Sequence, residues 1–380
     1  MRARVGELRS FYLVSLGCPK NLVDSQGMAT LLQRAGYESA VVPHEADLLI
    51  VNTCGFIDSA RAESRTVLRE LADSKRSDQY LIAAGCHSQR FPLRLAEEVP
   101  SLDALLGTRR WMDVVKLVDR LKGRGEQPRG PIYHCPQPPT VGQDTEGVTR
   151  AAVQGASAYL KLSDGCRRSC AFCAIPLIKG TAVSRTPEQI LSDARRLADW
   201  GSQEIILIAQ DTTDYGHDLG MEEGLASLLE QLVAEVPSVP WLRLMYAYPG
   251  RITPRLVETM ARYPQILPYI DLPLQHAHPD ILRRMGRPAN AEQVKRTIAR
   301  LREAMPNIAI RTTFLVGYPG ENEEAFQVLL DFVEEMRFDR VGVFAYSREE
   351  GTPAAQLEDD VPEKVKAERR QRLMALQQPI

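Results

Sequence analysis

Three cysteines stand close together in the stretch KLSDGCRRSCAFCAIPLIKG, at Cys166, Cys170 and Cys173. This short spacing allows three thiolates from one loop to converge on a single metal centre. A structural zinc ion takes four ligands, so zinc would need a fourth from Cys135 or a histidine. A 4Fe-4S cluster held by three cysteines instead leaves one iron open to a further ligand. We therefore predict a 4Fe-4S cluster in this loop.

Three further cysteines are far apart in the sequence but occupy equivalent places. Cys18, Cys54 and Cys86 each end an apolar run, in YLVSLGC, LLIVNTC and YLIAAGC. The carboxyl ends of parallel strands lie along one edge of a sheet, where open α/β sheets bind their ligands. Three unrelated buried cysteines would show no preference for strand ends. The sequence thus predicts a second metal centre on these three thiols.

The other candidate ligands are interpreted more simply. Cys135, beside His134, is expected to be a free thiol. His87 follows Cys86 and could serve as a ligand, but a solvated histidine is the interpretation we favour. The start of the chain lacks the apolar core of a secretory signal, and no run of 18 apolar residues occurs. We expect a cytoplasmic protein without a membrane segment, whose seven cysteines stay reduced rather than form disulfides.

Length and composition indicate a soluble protein of two domains. The chain has 380 residues, of which 44% are hydrophobic and 25% charged. Its formal net charge is -2, without the basic excess typical of proteins that bind nucleic acid through phosphate contacts. Nucleic acid is therefore disfavoured as the main partner.

The first part of the chain has the pattern of a doubly wound parallel sheet, because short apolar runs alternate with helical patterns. One helix, capped by Asp24 or Ser25, should end at Gly36, and a second should begin near Ser59. We assign residues 1–122 to this N-terminal domain. Its predicted strands are 11–16, 37–42, 47–52, 80–84 and 103–106.

Residues 123–156 are rich in Pro, Gly and polar residues and are interpreted as a linker. A second series of six strand–helix units follows in 157–350, too few for a full eight-unit barrel, so a partial (βα)6 TIM-like barrel is expected. Residues 351–380 form a tail whose charged helix, 362–376, has no evident packing partner, and the chain looks truncated there. The barrel strands are predicted at 157–162, 204–209, 241–246, 269–272, 308–316 and 339–345, and its helices at 187–199, 223–235, 254–263, 292–305 and 322–336.

The three-cysteine loop after the first strand of a partial barrel resembles the radical S-adenosylmethionine (SAM) superfamily. Further motifs, spread from residue 11 to 376, make the chain similar to the methylthiotransferases of that superfamily. These motifs are SLGCPKNLVDS (15–25), VNTCGFIDSA (51–60), QDTTDYG (210–216), PLQH (273–276), FLVGYPGE (314–321) and YSREEGTPAA (346–355).

The methylthiotransferases have two relevant branches. One modifies an adenosine of tRNA, and the other an aspartate of small-subunit ribosomal protein twelve. The stretches GCPKNLVDS, DLPLQHAHPDILRRMGRP and FDRVGVFAYS resemble the ribosomal-protein branch, and the near-neutral charge suits a basic protein substrate better than tRNA. The chain departs from the family pattern in having Gln26 in place of a glutamate and in lacking the C-terminal substrate-binding TRAM barrel, to which the tail would lead.

The resemblance implies two 4Fe-4S clusters with SAM as a further cofactor, and an electron donor such as flavodoxin or ferredoxin. A reduced cluster would cleave SAM to a radical that removes hydrogen from the β-carbon of the aspartate, and the second cluster would hold the methylated sulfur. No catalytic side chain is assigned beyond the cluster ligands. Carried over residue by residue, the SAM contacts would come from Phe172, Gln210, Gln275, Arg311 and Gly317.

Two other classes stay open from the residues alone. A zinc-stabilised binding module would contain zinc and no iron. A two-cluster electron carrier would contain iron but would not cleave SAM.

Overall fold

The structure, a computed structural model, describes residues 8–123, 130–136 and 147–380. The chain forms two compact units. The first unit comprises residues 1–152 with two later segments, Gly165–Arg167 and Ile175–Ala182. The second unit comprises Val153–Asp164, Arg168–Ala174 and Val183–Ile380.

A six-stranded parallel sheet forms the centre of the first unit, in the order β2-β1-β3-β4-β5-β6. Side chains on its two faces enter separate cores: Leu48 and Ile50 pack on one face, and Leu49 and Val51 on the other. Burial on both faces is the mark of a doubly wound sheet and confirms the predicted fold class. The strands are β1 Ser10–Ser15, β2 Glu38–Ser39, β3 Leu48–Thr53, β4 Tyr80–Gly85, β5 Ala104–Gly107 and β6 Ile132–His134.

Within its described residues, the first unit has six α-helices. The prediction that α1 is capped by Asp24 or Ser25 is wrong, because the helix begins at Pro19 and both residues lie buried within it. Proline suits a first helical position because its fixed φ is already helical and its missing N–H has no partner there. The helices are α1 Pro19–Arg34, α2 Asp58–Ser74, α3 Cys86–Arg90, α4 Pro92–Glu98, α5 Val114–Lys122 and α6 Ile175–Lys179.

The predicted linker 123–156 contains two strands in its described residues. Strand β6 pairs with β5 in the first sheet, and β7 (Ala151–Gln154) lies at the edge of the second. The stretch interpreted as a linker therefore includes two strands that were not predicted. Both strands are short edge strands in a stretch rich in Pro and Gly, so their sequences carry little periodic signal. The rest of that stretch, 124–129 and 137–146, lies outside the described residues.

The second unit is built on an open sheet in the order β15-β14-β13-β12-β11-β8-β7. Its six strands β8 and β11–β15 pair in parallel, which confirms the predicted partial barrel of six units. Two short strands, β9 (Ser163–Asp164) and β10 (Val183–Ser184), come between β8 and β11 in the sequence and form a separate antiparallel pair. The main strands are β8 Ser157–Lys161, β11 Glu204–Ile208, β12 Trp241–Leu244, β13 Ile266–Asp271, β14 Ala309–Val316 and β15 Arg340–Ala345.

Seven helices accompany this sheet, and none of the helices in the described ranges is both long and apolar enough to cross a membrane. The predicted helices match closely; Thr186 caps the first through a capping box with Gln189. The helices are α7 Pro187–Asp199, α8 Gly224–Glu235, α9 Pro254–Arg262, α10 Pro279–Arg284, α11 Ala291–Ala304, α12 Glu323–Met336 and α13 Glu363–Gln377.

The expectation that the tail helix has no packing partner is wrong. Helix α13 packs on β15 and α12 and buries Lys366, Arg369 and Leu373. Arg369 donates to the fully buried Glu321 at 2.9 Å between Nη1 and Oε1. The buried face contains two basic side chains, whose stems pack while their charges are paired. A search for apolar periodicity does not recognise such a face.

Candidate functional site

The second cysteine triplet lies at the carboxyl ends of three adjacent strands. Cys54 directly follows β3, Cys86 directly follows β4, and Cys18 lies between β1 and α1. Strands β1 and β3 are neighbours although β2 separates them in the sequence. The order of the sheet therefore reverses between Cys18 and Cys54, and doubly wound sheets bind ligands at such a switch point.

Asn21 connects these strand ends. Its Nδ2 donates to the carbonyls of Leu16 and Thr53, at 3.0 Å each, and its Oδ1 accepts from the Cys86 thiol at 3.6 Å. Asn52 supports it by donating from Nδ2 to the Asn21 carbonyl at 2.8 Å. Sequence reasoning missed both asparagines. The available signal was the position of Asn21, a polar residue in the first turn of the helix that directly follows the candidate ligand Cys18.

Two glycines allow close approach at this edge. Gly17 has φ +89°, and a Cβ there would lie 2.8 Å from the Cβ of Cys54. Gly85 has φ +96°, and a Cβ there would lie 2.6 Å from the Thr53 carbonyl oxygen. Both positions therefore require glycine, for conformation and for space.

The thiols of the triplet influence one another electrostatically. Burial raises the pKa of Cys86 to about 12; the Lys179 charge opposes this, and the charges of Cys18 and Cys54 add to it. Burial also raises the pKa of Cys54, again with a contribution from Cys18. Both thiols are thus protonated at neutral pH when no metal is bound. Metal ligands must be thiolates, so a metal or cluster would displace these protons.

A buried ion pair lies beside this triplet. Lys179, the last residue of α6, has its Nζ 3.2 Å from Asp24 Oδ2, and both side chains are buried. Arg109 fixes α6 by donating to the carbonyls of Ile178 and Leu177, at 2.8 and 2.7 Å. Sequence reasoning missed Lys179, because only the fold brings it to Asp24.

The first triplet lies in the loop that follows β9. The Cys173 amide donates to the Cys170 carbonyl at 3.0 Å, and the Cys166 amide donates to the Gly180 carbonyl at 3.0 Å. Arg168 is held by Asp211 and Asp214, at 2.7 and 3.3 Å. The loop is therefore fixed by backbone hydrogen bonds and ion pairs.

A cation faces this triplet. Arg287 Nη1 lies 3.6 Å from Cys170 Sγ, and its buried Nε has no hydrogen-bond acceptor within the described parts of the chain. A donor without an acceptor beside a thiol suits a negatively charged group, such as a cluster held by thiolates. Across residues 8–123, 130–136 and 147–380, no three His, Cys, Asp or Glu side chains are grouped for a single metal ion.

The predicted SAM contacts lie in the second unit. Phe172 is partly buried against a cluster that includes Met285 and Tyr318. Gln210 follows β11. Gln275 has φ +77°; its amide donates to the Thr313 carbonyl, and its carbonyl accepts from Leu315, both at 2.8 Å.

The remaining two contacts lie on and after β14. Gly317, at φ +70°, donates its amide to Glu321 Oε2 at 3.0 Å. Arg311 lies within β14 and pairs with the buried Asp271 at 2.5 Å. Its positive charge is thus already matched by a carboxylate.

The structure corrects one interpretation and agrees with another. His87 is not solvated but buried, and burial together with the nearby Arg65 and Arg61 lowers its pKa to about 3, so it is neutral. Its place in α3, directly behind the strand end, turns it inward. Cys135 is a free, partly buried thiol whose Sγ lies 3.8 Å from the Leu105 carbonyl oxygen.

Comparison with protein families gives two matches. Residues 160–333 match the radical SAM superfamily, and residues 10–107 match a family described as uncharacterized protein family UPF0004. Membership of the radical SAM superfamily implies a 4Fe-4S cluster and SAM as cofactors.

Solved structures share the fold at low sequence identity. A radical S-adenosylmethionine methyltransferase, TsrM, from Kitasatospora setae superposes with a TM-score of 0.67 at 17% identity, over 91% of this chain and 77% of that one. The cobalamin-dependent S-adenosylmethionine radical enzyme OxsB superposes with a TM-score of 0.58 at 14% identity, over 92% of this chain and 55% of that one.

Curated relatives match along nearly the whole chain. A protein of Roseiflexus sp. (strain RS-1), called ribosomal protein uS12 methylthiotransferase RimO, is 47% identical over 97% of this chain and 81% of its own length. The protein of that name from Chloroflexus aurantiacus is 50% identical over 97% and 83%. This chain therefore belongs to the RimO family of ribosomal protein methylthiotransferases and is a radical SAM methylthiotransferase.

Proposed function

We propose that this protein inserts a methylthio group at the β-carbon of an aspartate in small-subunit ribosomal protein twelve, with two 4Fe-4S clusters and SAM. The observation that carries the proposal is the second cysteine triplet at the switch point of the first sheet. A radical SAM enzyme needs one cluster to cleave SAM, whereas sulfur insertion also needs a place to hold sulfur. The relatives named for this ribosomal protein support the choice of substrate.

The six cysteines are the proposed ligands. Cys166, Cys170 and Cys173 would hold the cluster that binds SAM, and Cys18, Cys54 and Cys86 would hold the second. When bound, these groups would supply the electron that cleaves SAM, the radical that removes hydrogen from the substrate, and the sulfur that replaces this hydrogen.

The protein's own residues position and shield these groups. Asn21 would orient Cys86 through the 3.6 Å contact, and the burial of Cys86 would keep water from its side of the cluster. Glu321 fixes the Gly317 turn by accepting a hydrogen bond from the Gly317 amide. His276, whose Nε2 lies 3.2 Å from Glu321 Oε2, and Arg369 hold the Glu321 carboxylate in place. This fixed turn is a suitable support for a bound SAM.

The proposed SAM contacts are Phe172, Gln210, Gln275, Arg311 and Gly317. Phe172 and Leu315 pack against the same cluster as Tyr318, so the cysteine loop and the loop after β14 meet in the second unit. Electrons would come from a small donor such as flavodoxin or ferredoxin, and the reaction would take place in the cytoplasm, where ribosomal proteins are found.

The substrate is tested by mass. Reduced, anaerobically reconstituted protein is incubated with SAM and, separately, with a peptide from the ribosomal protein or with unmodified tRNA. We expect the mass of one methylthio group to be added to the peptide, at the aspartate. Addition to tRNA alone would contradict the proposed substrate.

A further inference from the structure

Arg287 lies in the short segment after α10 and is tied to the cysteine loop by the backbone. The Ala171 amide donates to the Met285 carbonyl at 2.8 Å. Gly286, at φ +65°, comes so close that a Cβ there would lie 2.7 Å from the Ser169 carbonyl oxygen. Residues 285–287 therefore follow the cysteine loop at close range, and glycine is required for that approach.

The guanidinium of Arg287 is fixed on several sides. Its Nη2 donates to the Pro273 carbonyl, and its Cζ lies 4.4 Å from the centroid of the Tyr248 ring. Its Nη1 lies 3.6 Å from Cys170 Sγ. A planar group held by a ring and a carbonyl has little freedom, so the third contact, with the sulfur, is imposed by the fold.

Arg287 differs from its neighbour Arg168 in whether a carboxylate balances its positive charge. Arg168 also lies 4.4 Å from the Tyr248 centroid, but Asp211 and Asp214 neutralise its charge. Arg287 makes no ion pair with a carboxylate in the part of the chain that the structure describes. Its buried Nε also lacks an acceptor there. The sulfur of Cys170 accepts a hydrogen bond from Nη1 of this arginine.

We propose that Arg287 is a positioning residue that orients Cys170 and raises the reduction potential of the cluster on Cys166, Cys170 and Cys173. A donor to a ligand sulfur and an adjacent positive charge both favour the reduced cluster, which is the more negative state. The inference rests on the proposed ligation by these three cysteines. It assigns to Arg287 a part in making the cluster reducible by a small electron donor.

The test measures the midpoint potential of this cluster by redox titration followed by electron paramagnetic resonance. The protein is anaerobically reconstituted and carries Cys18→Ala, Cys54→Ala and Cys86→Ala, so that the other cluster adds no signal. We expect Arg287→Met to shift the potential to a more negative value. Arg287→Lys, which keeps the charge but loses the planar fork, should give a smaller shift in the same direction.

Arg283→Met is the matched control, because Arg283 lies on α10 but its side chain is exposed and paired with Asp280. It should leave the potential unchanged. Should Arg287→Met prevent cluster assembly, the comparison of Arg287→Lys with the parent decides the question, and an equal potential there overturns the inference. An unchanged potential in Arg287→Met with full iron content also overturns it. Iron retained in Cys170→Ala would instead contradict the proposed ligation.

Discussion

The roles of single residues follow from what each one touches, and Asn21 gives the sharpest case. Its side chain bonds to two strand ends and contacts the thiol that follows a third. Each of these groups is at or near a buried position, where a hydrogen bond that is lost leaves an unsatisfied partner. Asn21 should therefore influence both the stability of the first unit and the geometry of its triplet.

The variant Asn21→Ala should lower the free energy of unfolding by about 1–3 kcal/mol, because it leaves two carbonyls without their donor. It should also reduce the iron bound by the second triplet. Urea unfolding and iron analysis measure the two effects. Gln33→Ala, an exposed position on the same helix, is the control. Equal stability and equal iron in Asn21→Ala and this control would contradict the assigned role.

Cys135 makes a prediction about pH. Burial raises its pKa from 9.0 in the unfolded chain to about 12 in the folded protein. The folded state therefore keeps a proton that the unfolded state loses, and this contribution to stability is complete below pH 9 and declines as the pH rises towards 12. The loss should approach about 1.4 kcal/mol per pH unit in that window. Cys135→Ala should show a flatter decline in urea unfolding between these pH values; an identical decline would contradict a raised pKa.

At the scale of elements, the carboxyl ends of β1, β3 and β4 carry the cysteines of the proposed second site. Glycine at these strand ends is required because φ is positive and because a Cβ would collide with neighbouring atoms. Gly36 offers a natural comparison with Gly85, because it has φ +90° but nothing within 4 Å of a Cβ, whereas Gly85 has φ +96° and crowded surroundings.

Gly36→Ala should cost about 1–2 kcal/mol of stability, because the left-handed conformation alone is strained by a side chain. Gly85→Ala should cost more and should also lower the iron bound by the second triplet, since the added methyl group displaces Asn52 or the backbone of Thr53. Urea unfolding of the two variants measures the difference. A cost at Gly85 no larger than that at Gly36 would show that the strand ends are not closely packed.

Elements also show where sequence reasoning works and where it fails. The strands that end at cysteines are long apolar runs, and right-handed connection rules place their ends along one edge, so the shared position of Cys18, Cys54 and Cys86 at strand ends was predictable. Helix α6, five residues long, and the strands β6 and β7 were not, because short elements carry almost no periodicity. The start of α1 was placed too late because Pro19 outweighs the capping preference of Asp24.

At the scale of the whole molecule, the family and its chemistry were accessible from motifs spread along the chain, and relatives at 47% and 50% identity agree. The residues that contact the cysteine triplets or their neighbours could not be predicted from the sequence. Lys179 meets Asp24 across 155 positions, and Arg287 meets Cys170 across 117. Such pairs have no local pattern and depend on the finished fold. The tail helix α13 was predicted, but its packing was missed for a similar reason, since its buried face relies on the pair of Arg369 and Glu321.

The proposed function requires two separate iron–sulfur clusters in this one chain, one on each cysteine triplet. The most direct measurement is the iron and sulfide content of anaerobically purified protein, with wild type compared with Cys18→Ala and Cys166→Ala. Each substitution should remove about half of the iron, because each disables one three-cysteine site and leaves the other intact. Cys135→Ala, a cysteine outside both triplets, should retain all of it. Full iron content in Cys18→Ala would contradict the second cluster.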